Sequence, residues 1–251
     1  MSAAVMVERV AGASPRLKAR IAGAFYLVIF IAGTFAEFFV RDPIIVYRDA
    51  GATASNILAH ETLYRLGGAA LLVTVLCEPV IALIFYQLFK PVSRTLSFLA
   101  ALFRVVYAPI NGANQLLYFA PLVLLAGVHG NAFTGDQLHA LALVTLRIYA
   151  QGLWITLIFF GIHCLLIGYL IFRSSFLPRT LGVLMAIAGL CYLIHSFARL
   201  ISPPLGAQLF PYVVVTGFIA EGLLTLWLLA IGVNVQRWNE QAARGADLAS
   251  V

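Results

Sequence analysis

The sequence predicts an all-α protein: a polytopic transmembrane helix bundle of about six spans, with short interfacial helices in its outer loops. Three observations carry that prediction. Of the 251 residues, 62% are hydrophobic and only 10% charged, against roughly 45 to 50% apolar in soluble domains, so the chain lacks the polar surface needed to face water on all sides. The apolar residues fall in runs of about 20 or longer, the length that crosses a hydrocarbon core of about 30 Å as a helix. The runs also lack the roughly ten-residue in/out alternation of barrel strands, and in lipid only helices and closed barrels satisfy every backbone group.

Taken in order, residues 1–19 form a short polar segment rich in basic residues near its end, Arg16 and Lys18. Residues 20–236 form a single transmembrane helical domain, and residues 237–251 a polar tail. The first span, Ile21 to Val40, is too long for a signal-peptide core and reads as a membrane helix. Glu37 lies near its far end, where a charge reaches the interface cheaply. Arg41 to Thr62 is too polar to cross, and Asp49 is placed to cap a short helix from Ala52 to His60. The second span, Tyr64 to Phe89, is interrupted by Cys77-Glu78-Pro79, where the proline removes a backbone donor and predicts a kink.

The turn at Lys90 to Arg94 leads into the third span, Thr95 to Ala126. A loop at Val128 to Asp136 follows, containing His129 and Asn131. Thr134 and Gln137 have the spacing of a capping box. From Leu138 to Phe172 is more length than one crossing needs, which predicts an interfacial helix to about Ile148 and then a fourth span from Gly152. Arg173 to Arg179 forms a second basic turn. The fifth span, Thr180 to Leu200, places the small residues Gly182, Ala186 and Gly189 on one side, a pattern for close helix approach. His195 and Arg199 stand near its end, before a Pro203-Pro204 loop. The sixth span, Pro211 to Val233, centres on Glu221 and ends in the interfacial anchors Arg237 and Trp238.

Of the 16 Lys and Arg residues, ten fall on the side of the termini, five on the other side, and Arg104 lies within a span. That asymmetry predicts cytoplasmic N- and C-termini in an inner membrane. The formal charge of +6 is dispersed rather than gathered in a stripe, which argues against a nucleic-acid partner.

Stretches of this sequence carry a resemblance: Arg20 to Ile31 (RIAGAFYLVIFI), Ala36 to Arg41 (AEFFVR), and above all Phe160 to Ala198 (FGIHCLLIGYLIFRSSFLPRTLGVLMAIAGLCYLIHSFA). They resemble a bacterial multi-pass membrane family, domain of unknown function 4386. The resemblance covers roughly Arg16 to Arg237 and is most distinctive around Gly168 to Gly189. It implies an integral membrane protein of bacterial origin and brings no reaction, ligand or catalytic residue with it.

The residues that could carry chemistry are few. Folding the second and third spans about Val92 and Ser93 sets Glu78 level with Tyr107 and Arg104 level with Ile81, an offset of about 4.5 Å. A lone charge at mid-bilayer costs about 2.5 to 3.5 kcal/mol, so Glu78 and Arg104 are expected to pair. Arg104, Tyr107, Asn111 and Asn114 recur at spacings of three and four and share a helix face. With His163 and Glu221 they make up a candidate intramembrane polar site. A carboxyl group without a partner in hydrocarbon favours its neutral form, the property a proton relay uses.

No HExxH, phosphate loop, nucleophile elbow or CxxC motif occurs, which points away from an enzyme and indicates neither catalytic residues, nor a metal, nor a cofactor. Cys77, Cys164 and Cys191 sit unpaired in apolar runs and read as small buried hydrophobes. Two functions follow as expectations. In the first, the protein handles a small solute or a proton through the mid-bilayer polar site. In the second, it is a non-catalytic membrane component that associates with a partner, or with a second copy of itself, through the face of Gly182, Ala186 and Gly189. The expected partners are therefore the lipid bilayer, a small-molecule or proton ligand, and a homo-oligomeric copy.

Overall fold

The computed structural model describes residues 13–127 and 132–249. Arg9 and the rest of residues 1–12, together with His129 and Asn131 of the expected loop, lie outside the described residues. Among the described residues every regular element is helical. In chain order they are α1 (Pro15–Ile44), α2 (Ala50–Ala59), α3 (Glu61–Phe89), α4 (Arg94–Leu125), α5 (Gly135–Arg173), α6 (Arg179–Ile201), α7 (Pro203–Ala230) and α8 (Val235–Ala249). Six of them, α1 and α3 to α7, are long and apolar enough to cross a membrane. The chain is a multi-pass membrane protein whose surroundings are lipid. Leu76, Leu116 and Ile201 are 73%, 73% and 81% exposed, which would be costly in water and is not in hydrocarbon.

Several helix ends differ from expectation, each for a local reason. Helix α1 continues past Val40 to Ile44 through a π-helical stretch, Phe35–Arg41, within which Glu37 and Arg41 form an ion pair. Helix α2 is capped as Asp49 suggested, the carboxylate accepting from Ala52 N at 2.8 Å. Helix α3 starts at Glu61, whose carboxylate pairs with Arg65 one turn on at 2.6 Å, and it runs unbroken through Pro79.

The largest correction concerns α5. The expected interfacial helix and fourth span are one continuous helix of 39 residues. Its start has the capping box: Thr134 N donates to Gln137 Oε1 at 2.8 Å and Gln137 N to Thr134 Oγ1 at 3.3 Å. Length alone suggested the split; no proline interrupts the helix, and Gly152, the expected start of the fourth span, is a packing site whose missing Cβ leaves room for the side chain of Asn114. A glycine inside a helix costs only about 1 kcal/mol, and contact at that point outweighs it.

The second correction concerns α7. Pro203 and Pro204, expected in a loop, form its first turn, where the absent N–H groups have no helical acceptor to lose. Pro211 is carried inside the helix. Helix α7 closes at Gly232, with φ at +74°, where the N–H groups of Ile231 and Gly232 both reach Trp227 O at 2.9 Å. Helix α8 then occupies the stretch that read as a polar tail.

Packing gathers the chain into two compact units. One comprises the described parts of Val28–Leu76 and Ala108–Thr156. Its core holds Val40, Ile44, Ile57, Leu71, Leu146 and Tyr149 around a stacked pair, Tyr64 and Tyr118, with ring centroids 4.5 Å apart. Each phenol donates to the other residue's carbonyl, at 2.6 and 3.0 Å. Neither hydroxyl is left unsatisfied in hydrocarbon.

The other unit comprises the described parts of Met1–Leu27, Cys77–Tyr107 and Leu157–Val251. Here glycines bring α5 and α6 into backbone contact. A Cβ added to Gly182 would lie 2.6 Å from Gly168 O and from Phe172 N, one on Gly168 2.7 Å from Ala186 N, and one on Gly189 2.7 Å from Gly161 O. The small face of Gly182, Ala186 and Gly189 is therefore occupied within the chain, by α5.

Candidate functional site

In this second unit a guanidinium gathers the polar groups of three other helices. Arg104, on α4, has no accessible surface, and Glu78, on α3, is 3% exposed. The register deduced from the α3–α4 turn brings them together, Arg104 Nε standing 2.6 Å from Glu78 Oε2. This is an ion contact rather than an aligned hydrogen bond, since neither atom meets hydrogen-bond geometry with a partner. Arg104 Nη1 donates to Tyr26 Oη of α1 at 2.5 Å and faces His163 Nε2 of α5 at 3.0 Å. The other ring nitrogen of His163 lies 2.8 Å from Ala100 O. A carbonyl accepts only, so Nδ1 carries the imidazole proton and Nε2 accepts from the guanidinium.

Two rings complete the enclosure. The guanidinium carbon lies 4.6 Å from the Tyr26 ring centroid and 5.5 Å from that of Phe160, distances at which an aromatic face attracts a cation. Arg104 Nη2 is buried and has no acceptor among the described residues. The positive charge is thus balanced by one carboxylate, one phenol, one imidazole and two ring faces, with one N–H pair unspent.

Phe160 also links this group to a second one. Its centroid lies 5.8 Å from His163, 5.2 Å from Tyr107 and 5.7 Å from Tyr192. Tyr192, on α6, donates to Glu221 Oε1 of α7 at 2.5 Å. Gly217, one turn before Glu221, has no side chain, which leaves space for the Tyr192 hydroxyl.

Of the candidate residues, Glu78, Arg104, Tyr107, His163 and Glu221 all belong to this unit. Asn111 and Asn114 belong to the other. There Asn111 Oδ1 accepts from Gln115 at 3.3 Å, and Asn114 Nδ2 donates to Tyr149 O at 2.9 Å.

Tyr26, Phe160 and Tyr192 escaped the sequence reading because an aromatic residue in an apolar run looks like any other hydrophobe. The usable signal was that a phenol at mid-span must find a hydrogen-bond partner. Among the described residues no group of three His, Cys, Asp or Glu side chains could hold a metal ion.

Comparison with known proteins places these features in a family. The model described as Domain of unknown function (DUF4386) matches residues 21–232. An uncharacterized protein of Archaeoglobus fulgidus is 30% identical over 171 residues, covering 68% of this chain and 85% of its own. No solved structure matches.

Proposed function

The chain belongs to the DUF4386 family, and from that premise we propose that it handles a proton or a small polar solute at the cluster centred on Arg104. One observation supports the reading: a fully buried guanidinium keeps Nη2 without an acceptor among the described residues, in a unit that also contains two membrane-embedded carboxyl groups. A charge inserted only to tie helices together would be expected to spend all its donors, because each unmet one costs about 1 to 3 kcal/mol. An unspent donor beside Glu78, with Glu221 joined to the cluster through Tyr192 and Phe160, suits a transient occupant such as a water, a proton carrier or a small anion. The same reading sets the protein in a bacterial inner membrane with both termini cytoplasmic, on the strength of the basic-residue asymmetry.

The association reading loses its stated means, because the Gly182, Ala186 and Gly189 face already packs on α5.

The test uses full-length protein in liposomes containing a trapped pH-sensitive dye, with proton entry driven by a potassium diffusion potential. The expected result is acidification above that of empty liposomes, reduced at least tenfold by Glu221→Gln and by Glu78→Gln in protein that remains monodisperse. Equal rates for wild type, both variants and empty liposomes would reject proton handling at this site.

A further inference from the structure

Where α7 ends, the same unit contains a cleft of about 560 Å³. Phe176, Trp227 and Val235 line it with apolar surface, and Arg16, Arg237 and Ser175 with polar groups. A second cleft, of about 580 Å³, shares Ser175 and Arg237 and adds Arg179 and Arg244. Across the two clefts four guanidinium groups face one carboxylate, Glu240, which accepts from Gln236 at 3.1 Å. The balance of charge favours an anion.

The arginines of the first cleft are fixed by their own hydrogen bonds. Arg16 Nε donates to Ile231 O at 3.3 Å, and Arg237 Nη1 to Ser175 O at 3.4 Å. Each bond holds one N–H of a five-donor fork and leaves the remainder for an acceptor in the cleft. Gly232 allows the close approach: a Cβ there would lie 3.1 Å from Arg16 Cγ. Trp238 steadies α8 by donating to Leu88 O at 2.8 Å.

Crossing number gives the cleft its place. Arg16 comes before most of the first span, the turn holding Ser175 follows the fourth, and Val235 follows the sixth. An even number of crossings separates each from the next, so all three lie on one side of the membrane, where the spans end and phospholipid headgroups begin. An apolar floor with an arginine rim at that depth matches an amphiphile with an anionic head.

We propose that this cleft binds an anionic phospholipid, its phosphodiester held between Arg16 and Arg237 and the base of its acyl chains against Phe176 and Trp227. The proposal does not depend on the Arg104 cluster, so either can fail alone. Bidentate guanidinium–phosphate pairing would give selectivity for anionic over zwitterionic lipid.

The test is native mass spectrometry of the full chain in detergent, titrated with phosphatidylglycerol or with phosphatidylcholine. The wild type is expected to hold phosphatidylglycerol at least tenfold more tightly than phosphatidylcholine. Arg16→Gln with Arg237→Gln should abolish that preference, and Arg48→Gln, which removes one charge elsewhere, should leave it intact. Because Arg16 also holds a helix-end carbonyl, Val235→Glu provides a second arm: it keeps both arginines, places a carboxylate in the cleft, and sits at a helix N-terminus that tolerates an acidic residue. It should lower phosphatidylglycerol affinity at least tenfold. An unchanged preference in the double variant and in Val235→Glu overturns the proposal. Displacement of the lipid by millimolar inorganic phosphate overturns it too, because the occupant is then free phosphate.

Discussion

Replacing Glu78 by Gln removes the carboxylate that contacts Arg104 while preserving shape. A guanidinium cannot shed its proton, so the charge stays buried. Breaking a buried ion pair from one side costs about 3 to 5 kcal/mol. Arg104 would keep the Tyr26 hydroxyl at 2.5 Å, His163 at 3.0 Å and the two ring faces, which places the expected loss near the lower bound, about 3 kcal/mol or two powers of ten in the folding equilibrium. Arg104→Met should cost less, about 2 kcal/mol, because the carboxyl group left behind can take up a proton. The double variant buries no charge and should fall about 3 kcal/mol short of the summed single losses. Equilibrium unfolding in mixed micelles, followed by far-ultraviolet circular dichroism as dodecyl sulfate is raised, measures all three. A Glu78→Gln loss under about 0.5 kcal/mol, or strictly additive losses in the double variant, would show that Glu78 does not balance Arg104.

Other consequences are open to the same measurement. Gly182→Ala pushes a methyl group into the α5 backbone and should cost about 1 to 3 kcal/mol, whereas Gly33→Ala meets nothing within 4 Å and should gain about 0.5 to 1 kcal/mol; thermal melts of the two should move in opposite directions. Tyr192→Phe takes the donor from Glu221 and should destabilise by about 1 to 3 kcal/mol, read in the same dodecyl sulfate titration. Gly232→Ala forces a Cβ into the left-handed region and should cost about 1 to 2 kcal/mol, visible as a lower melting temperature.

The sequence was most legible where charge is scarce. In an apolar run Glu78 and Arg104 stand out, and a short turn fixes the register of their helices, so their contact could be deduced from counting. The capping signals at Asp49 and Thr134 were legible because they are local. What the sequence hid depends on tertiary contact. The length of Leu138 to Phe172 reads as two elements because nothing local shows that one helix runs through Gly152, where Asn114 packs. Pro203 and Pro204 read as loop because nothing nearby shows that a helix begins with them. The donor to Glu221, Tyr192, comes from another helix and leaves no local signal in the sequence. Asn111 and Asn114 were grouped with Arg104 by helix face, but the packing that assigns them to a different unit has no periodic signature.

The order of synthesis gives the arginine centre a further consequence. When α4 leaves the ribosome, Tyr26 and Glu78 already exist, whereas Phe160 and His163 have yet to be made. The counter-ion therefore precedes the cation, and α3 and α4 should partition into lipid as a hairpin rather than singly, with the aromatic lid added later. A chain truncated after α4 and carrying Glu78→Gln should thus be retained in the bilayer less efficiently than its Glu78 parent in a glycosylation-mapping assay. Equal retention would mean that α4 enters without help from its neighbour.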